Sequence, residues 1–303
     1  GADDTVTNLK ITTEGRVLVA GKFRSYNGSV SPSLVELNAN GSVNTDFNVG
    51  TGFDGTVRDI EITTADQILV AGDFQSYNNT NTVYIARLNV DGKIDHGFAP
   101  RHSPNAPVNA LAFDEDGAVV VVGEFNKVGE FNRNYIAKYK SDGRLDPDFE
   151  SVEGANGVIY DVLIEADGRI VIAGDFTRIN YVKRNRIARL HPDGTVDMSF
   201  DPGDGFDSTV YTIVQDVDPM RNMYNEYGGP GGSIDNPDYL KIYAGGLFHE
   251  FDEVRRHGLA RLDTNGQLDT TFMDNSYNQF AGIPRSAAQD QRNFIKSISL
   301  NRD

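Results

Sequence analysis

The sequence predicts an all-β protein, a β-propeller of four-stranded antiparallel blades. A Gly-x-Phe triplet recurs every 51 residues, at Gly21, Gly72, Gly123 and Gly174, and a fifth copy begins at Gly246. Such self-similarity indicates an array of one supersecondary unit, and four strands in about 50 residues match one propeller blade. No segment shows the apolar stripe of a helix. A β-helix is the second choice, because its repeat is roughly half as long.

Three further positions recur at fixed distances from each triplet glycine. An apolar or aromatic residue follows at 16 positions, a turn glycine at 20 and a phenylalanine at 26. They are Leu37, Leu88, Tyr139, Leu190 and Leu262; Gly41, Gly92, Gly143, Gly194 and Gly266; and Phe47, Phe98, Phe149, Phe200 and Phe272. We expect the phenylalanines, including the one in each triplet, to fill the space between adjacent sheets. We expect the triplet glycine to permit close backbone approach between packed blades.

The second copy shows how one repeat divides into strands. Residues 57–62 alternate apolar and polar side chains, which is typical of a strand with one buried face. Residues 68–72 form a continuous apolar run, which suits a strand buried on both faces. Residues 84–88 alternate again, and residues 93–98 predict a short fourth strand. The Asp-Gly pair at Gly92 favours a tight hairpin between the third and fourth strands.

The repeat resembles a known family. The run from Asp167 to Phe200, which includes Gly174-Asp175-Phe176 and Asp193-Gly194, is similar to the delta-sixty type β-propeller repeat. The resemblance covers essentially all 303 residues. It implies a propeller fold in a large secreted or surface-exposed bacterial protein or a phage structural protein. It implies no shared catalytic residues.

The repeats define one predicted propeller over residues 1–303. Residues 294–300 align with the first strand of a further copy, so we expect the chain to be a segment of a longer protein. The predicted boundaries are about 1–52, 53–103, 104–154, 155–205 and 206–292, with a partial sixth repeat at 293–303.

Composition excludes several classes of function. The formal net charge of −16 argues against a nucleic-acid-binding surface, which needs lysine and arginine. The absence of cysteine excludes a disulfide framework, a thiolate metal site and a cysteine nucleophile. No run approaches the roughly 18 apolar residues of a membrane-spanning helix. The five histidines fall at unequal repeat positions, and no phosphate-binding loop is present, so we predict neither metal nor cofactor.

Candidate binding residues lie where one copy differs from another. In an antiparallel blade the long loops between strands two and three share a face with the linkers between repeats, and long loops over a rigid scaffold favour binding. Two insertions interrupt the fifth copy, and the second-to-third loops of copies three to five are basic. The insertions supply Tyr224, Tyr227, Tyr277 and Phe280, and the loops supply Arg178, Lys183, Arg184, Arg186, Arg255, Arg256 and His257. The alternatives are tolerated surface insertions and a solvated, salt-bridged rim.

The regular array and the lack of a unique polar constellation predict a non-catalytic interaction or structural module. We expect it in an extracellular setting, as part of a virion (phage tail or capsid-associated) or of a bacterial cell-surface protein. Its expected partners are protein subunits of a larger assembly or a surface glycan. The alternative is a propeller enzyme acting on polysaccharide, as a glycosidase or lyase. A non-repeating carboxylate pair lining the central channel would favour the enzyme. The repeated carboxylates Asp73, Glu124 and Asp175 are expected to form hydrogen bonds within their blades.

Overall fold

A computed structural model describes residues 1–98, 100–150, 153–216, 240–273 and 294–300. In these ranges the regular structure is all β. Each of the five repeats contributes five strands in the same order, of which three form an antiparallel sheet and the two between its second and third strands form a small hairpin. We call the sheets blades 1 to 5 and the small hairpins the rim hairpins.

The strands recur with the same lengths in every repeat. They are β1 (Val6–Ile11), β2 (Val17–Gly21), β3 (Ser25–Tyr26), β4 (Ser29–Val30) and β5 (Leu34–Leu37); β6 (Val57–Ile62), β7 (Ile68–Gly72), β8 (Ser76–Tyr77), β9 (Thr80–Asn81) and β10 (Ile85–Leu88); β11 (Val108–Phe113), β12 (Val119–Gly123), β13 (Lys127–Val128), β14 (Phe131–Asn132) and β15 (Ile136–Tyr139); β16 (Ile159–Ile164), β17 (Ile170–Gly174), β18 (Arg178–Ile179), β19 (Val182–Lys183) and β20 (Ile187–Leu190); and β21 (Val210–Gln215), β22 (Ile242–Gly246), β23 (Glu250–Phe251), β24 (Val254–Arg255) and β25 (Leu259–Leu262). The all-β repeat architecture predicted from the sequence is confirmed.

Both phenylalanine positions lie in the core, as predicted. The triplet phenylalanines Phe23, Phe74, Phe125, Phe176 and Phe248 are at most 1% exposed. The second set is buried in blades 1 to 4, whereas Phe272 in blade 5 is half-buried. Core clusters combine side chains of neighbouring blades, for example Val122 and Ile136 of blade 3 with Ile159 and Phe176 of blade 4. Burial between successive sheets therefore holds the array together.

The predicted fourth strand is wrong as an element of several residues. In each repeat it is reduced to a single bridge, such as that between Leu190 and Val196. The reason is an aspartate turn. The Asp197 carboxylate accepts a hydrogen bond from the Ser199 amide at 2.8 Å, and the Phe200 amide donates to the Asp197 carbonyl at 3.4 Å. The chain therefore bends at once and carries Phe200 into the core.

The triplet glycine makes its close approach within its own blade and not between blades, which corrects the expectation. A Cβ on Gly174 would overlap the Val158 carbonyl oxygen, just before the first strand of the same sheet. The amide of Asp175, the next residue, donates to that carbonyl at 2.8 Å. The same overlap occurs at the other four triplet glycines. Glycine is thus required for the strand to pass the start of its neighbour.

Candidate binding surface and central cavity

The rim hairpins are fixed to the linkers that precede each blade. In blade 4 the Asn156 side-chain oxygen accepts hydrogen bonds from the amides of Thr177 and Arg178, both at 2.8 Å. A bridge joins Ala155 to Ile179 beside it. The equivalent side chains hold the other hairpins in the same way, at Asp3, Asp54, Asn105 and Asp207. Linkers and second-to-third loops therefore share one face, as predicted.

Blade 4 presents two of the predicted cations at the surface. Arg178 and Lys183 are exposed and lie directly opposite each other across the rim hairpin. The Lys183 ammonium is 2.7 Å from Asp204, in a pair whose side chains are 68% and 59% exposed. An ion pair this exposed contributes little to stability, so Lys183 can exchange its partner at small cost.

Two predicted binding residues are buried instead. Arg184 is 8% exposed and Arg256 is 7% exposed. Each donates from Nη1 to the carbonyl of the preceding residue, Lys183 at 3.0 Å and Arg255 at 2.8 Å. Arg133 occupies the same position in blade 3, with the same bond. Their burial and these backbone hydrogen bonds give these arginines a structural role in the hairpins.

The remaining predicted basic residues differ in exposure. Arg186 is half-buried, adopts a φ of 66° and donates to the Phe206 carbonyl at 3.1 Å. Arg255 is exposed, and its Nε lies 2.6 Å from Nε2 of the half-buried His257. Blade 5 thus presents Arg255 as its exposed cation among the predicted residues. The other candidates, Tyr224, Tyr227, Tyr277 and Phe280, lie outside the described residues and stay predictions.

Sequence reasoning missed exposed apolar side chains on the same hairpins. Phe131 of blade 3 is 48% exposed, Tyr181 of blade 4 is 74% exposed and Val254 of blade 5 is 40% exposed. They do not recur from repeat to repeat, because the equivalents of Phe131 and Val254 in blades 1 and 2 are Ser29 and Thr80. That departure from the repeat is the signal that could have identified them.

Acidic side chains separate blade 4 from its neighbours. The rim hairpin of blade 5 carries the exposed residues Glu250, Asp252 and Glu253, and that of blade 3 carries Glu130. The blade 4 hairpin has no acidic residue between Thr177 and Arg186. The basic surface predicted over three blades is therefore concentrated on blade 4, where Tyr181 is also the most exposed aromatic ring among the described residues.

The first strands of the five blades and residues 297–300 line a central cavity of about 740 Å³. Four carboxylates lie along it, from Asp59, Glu61, Asp161 and Asp216. Asp59 and Asp161 occupy the same repeat position in blades 2 and 4, whereas blades 1, 3 and 5 hold Asn8, Ala110 and Thr212 there. The sequence pattern alone does not identify these channel residues.

Asp59 and Asp161 tie the first strands of blades 2 and 4 to the first strand of the next blade. Asp59 accepts hydrogen bonds from the Asn8 side chain at 2.5 Å and from the Leu111 amide of blade 3 at 2.9 Å. Asp161 accepts from the Val162 amide at 2.8 Å and from the Ile213 amide of blade 5 at 2.7 Å. All four carboxylate oxygens are thus engaged by the protein, which is the arrangement expected of structural carboxylates.

The cavity alters the protonation of these groups. Burial, followed by the nearby Glu61 carboxylate, raises the pKa of Asp59 above its ordinary value. Burial also raises the pKa of Asp161 to about 6, against the hydrogen bonds from Ile213 and Val162 that lower it. Burial opposes the charged form of Lys10, but the Glu61 carboxylate, 2.6 Å away, outweighs it and raises the Lys10 pKa.

Asp161→Asn should flatten the pH dependence of stability between about pH 4 and 7. The folded-state pKa of Asp161 exceeds the ordinary value of 3.8. The folded protein therefore holds a proton there that the unfolded chain releases, and stability falls as pH rises through this window. We expect the change in the free energy of unfolding between about pH 4 and 7 to be smaller in the variant by on the order of 1–2 kcal/mol. This is less than the full pKa shift implies, because the cavity admits solvent. Urea denaturation at several pH values measures it, with the exposed Asp148→Asn as control. An unchanged slope would contradict the assignment.

The predicted acidic residues of the triplets lie elsewhere. Asp73 accepts a hydrogen bond from the Thr56 amide, and Asp175 accepts one from the Thr209 hydroxyl at 3.2 Å. Glu124 pairs with Arg58 at 2.6 Å. The expected hydrogen bond within the blade is confirmed for Asp73. Asp175 instead bonds to Thr209 of the following blade, and Glu124 pairs with Arg58 of the preceding blade.

The described residues were compared with the requirements of a metal site and of a membrane-spanning helix. Their side chains include no group of three or more His, Asp or Glu residues placed to hold a metal ion. No helix among them is long and apolar enough to cross a membrane.

Solved structures share the fold at low sequence identity. The WD40 β-propeller domain of Doa1 matches 88% of this chain and is itself covered to 82%, at 12% identity and a TM-score of 0.50. The extracellular domain of a protein described as a one component system, from B. thetaiotaomicron, matches 87% of this chain at 14% identity and a TM-score of 0.50. This chain spans 27% of that protein. Virginiamycin B lyase from Staphylococcus aureus matches 87% of this chain and is itself covered to 83%, at 11% identity and a TM-score of 0.41. The likenesses to the Doa1 domain and to the extracellular domain concern the fold alone.

Sequence comparison identifies the family. A search of curated proteins finds no match to this chain. The family described as "Domain of unknown function (DUF5122) beta-propeller" matches five segments, at residues 14–47, 66–98, 115–149, 165–200 and 241–272. A β-propeller repeat family is thereby confirmed, although the name that the match carries is not the delta-sixty one. Because the five segments together span more than half of the sequence, the chain belongs to the DUF5122 β-propeller family.

Proposed function

We propose that the chain is a non-catalytic interaction module that acts outside a cell and binds a carboxylate-bearing partner, a surface glycan or an acidic protein subunit. The observation that carries this proposal is the blade 4 rim hairpin. Its tip presents the 74% exposed ring of Tyr181, and its strands present Arg178 and Lys183. An aromatic ring supplies apolar contact area, and cations beside it attract carboxylates.

The hairpin is preorganised for such contact. Asn156 holds its first strand, and the buried Arg184 holds its second through the Lys183 carbonyl. Beneath it, Ile179 is fully buried in the core that blades 3 and 4 share. Binding would therefore order few side chains, which reduces the entropic cost of association.

The setting is part of the same proposal. The resemblance noted in the sequence implies a bacterial surface protein or a virion component, and one protein of similar fold is described as an extracellular domain. In either setting the five blades act as a rigid support, and the features that differ between blades select the partner.

A second candidate is an enzyme that cleaves polysaccharide, as a glycosidase or lyase. It is favoured by Asp59 and Asp161, which are carboxylates of raised pKa in a central cavity and have no acidic counterpart at the same position of the other three blades. Against it, the oxygens of both groups already accept hydrogen bonds from the next blade. A general acid or nucleophile needs an oxygen that can reach the substrate.

A binding assay with a variant of the blade 4 hairpin tests the proposal. The combined substitution Arg178→Ala, Tyr181→Ala and Lys183→Ala changes exposed side chains and should leave folding intact. We expect it to weaken binding to acidic polysaccharides or acidic protein subunits by at least about tenfold, because aromatic and arginine side chains dominate interfaces. Arrays of acidic and neutral polysaccharides, and co-purification with candidate subunits, provide the measurement.

The matched control is the rim hairpin of blade 1, changed by Arg24→Ala and Val30→Ala, since both residues are exposed there as well. This control should bind like the unchanged protein. Equal binding by the blade 4 variant would refute the proposed surface. Release of shortened polysaccharide by the unchanged protein, abolished by Asp161→Asn, would support the enzyme instead.

A further inference from the structure

One face of blade 1 exposes apolar side chains, two of them at positions that every other blade buries. On β1, Val6 is 41% exposed, Leu9 is 59% exposed and Ile11 is 73% exposed. The equivalents of Val6 and Leu9 in blades 2 to 5 are at most 6% exposed. They are Val57 and Ile60, Val108 and Leu111, Ile159 and Val162, and Val210 and Ile213. In those blades the same positions pack on the sheet of the preceding blade, so the surface of β1 has the composition of an inter-blade contact.

Residues 294–300 already occupy the place of a further first strand on blade 5. The Ile295 amide donates to the Gly246 carbonyl at 3.2 Å. A Cβ on Gly245 would come within 2.6 Å of Ile295 and 3.0 Å of Ile298. In blade 4 the equivalent residue, Ala173, packs in the same way with Val210 and Ile213 of blade 5. The aligned residues thus make the same contact, and Gly245 gives the bulkier Ile295 the room it needs.

The same segment faces β1 across the central cavity. Residues 297–300 line one side of it and residues 6–10 line another. Elsewhere the first strands of adjacent blades touch, for example through the Thr7 hydroxyl and the Val57 carbonyl at 2.6 Å. The exposed face of β1 therefore continues the established inter-blade interface around the ring.

We propose that the exposed face of β1 is an inter-blade interface whose occupant is a sixth blade, a further copy of the repeat with residues 294–300 as its first strand. The sixth blade places its apolar second and third strands against Val6, Leu9 and Ile11. This is the contact that the side chains of blade 4 make with Val210 and Ile213.

A single introduced cysteine tests the proposal, since the chain has no other. Leu9→Cys is made in the 303-residue chain and in the same chain extended after Asp303 by a second copy of residues 66–103. These are the residues that follow Ala65, which aligns with Asp303. The rate of labelling by a maleimide reports whether the side chain is accessible. Val30→Cys, at a 77% exposed site on the rim hairpin of the same blade, is the matched control.

We expect the thiol at position 9 to react quickly in the 303-residue chain and at least about tenfold more slowly in the extended chain, because burial restricts access to the thiol. The thiol at position 30 should react equally in both. Equal reactivity at position 9 with and without the extension would overturn the proposal. Protection in the 303-residue chain that grows with protein concentration would also overturn it, because the occupant would then be a second copy of the chain.

Discussion

Replacing Phe176 by alanine is expected to lower the free energy of unfolding by about 3–5 kcal/mol, as the loss of a fully buried aromatic ring does. The ring is 0% exposed and packs in the cluster shared by blades 3 and 4, among Val122, Ile159 and Ile172. Phe74→Ala should cost a similar amount, because Phe74 is equally buried between blades 1 and 2. Equilibrium denaturation in urea measures both.

Phe131→Ala is the matched control for these substitutions. Its ring is 48% exposed on a rim hairpin, so the same chemical change should cost less than about 1 kcal/mol. If Phe176→Ala cost no more than Phe131→Ala, the packing of the blades described above would be wrong.

Arg189→Ala should destabilise the protein by about 3–5 kcal/mol, because it removes the buried cation from two buried carboxylates and leaves them only the more exposed Arg169. The Arg189 side chain is 2% exposed, and its Nε donates to Asp197 at 2.7 Å while Nη1 lies 3.4 Å from Glu165. Nη1 also donates to the Thr264 carbonyl of blade 5 at 2.6 Å, so the same guanidinium joins two blades. Urea denaturation at neutral pH measures the loss.

Measurements at acid pH distinguish the loss of the Arg189–Asp197 ion pair from the loss of side-chain packing. Burial opposes ionisation of Asp197, but hydrogen bonds from Ser199 and Arg189 outweigh it and lower the Asp197 pKa to about 2. The stabilisation from Asp197 is therefore present above the ordinary pKa of 3.8 and is lost as pH falls towards 2. In Arg189→Ala this acid-side slope should be shallower.

The control for Arg189 is Arg144→Ala, which removes the exposed pair of Arg144 with Asp142. It should change the free energy of unfolding by less than about 1 kcal/mol. A loss of the same size from both substitutions would show that Arg189 acts through general charge and not through its buried bonds.

The sequence was sufficient to predict what the repeat imposes on every blade. Apolar runs such as 170–174 predicted the second strands, and Asp193-Gly194 predicted a turn in which Gly194 indeed adopts a φ of 89°. The period also predicted the buried phenylalanines. These features depend on neighbours along the chain or on the same position in the next copy, so they can be predicted before the fold is known.

Features that depend on contacts between positions far apart could not be predicted in this way. The fourth strand gave way to a turn because Asp197 bonds both the Ser199 amide and the Arg189 guanidinium. The sequence predicts that Arg184 is a surface cation, but its side chain is buried in the structure. Asp59 and Asp161 gain their place in the cavity from the bulge in each first strand and from amides about 50 residues away.

One comparison tests the proposed non-catalytic binding role most directly. The blade 4 hairpin variant (Arg178→Ala, Tyr181→Ala and Lys183→Ala) and the cavity variant (Asp59→Asn and Asp161→Asn) are measured beside the unchanged protein. Each is assayed both for binding to acidic polysaccharide or protein partners and for release of shortened polysaccharide. We expect binding to be lost in the hairpin variant and kept in the cavity variant, with no shortened product from any of the three proteins. Shortened product from the unchanged protein that disappears in the cavity variant would contradict the account.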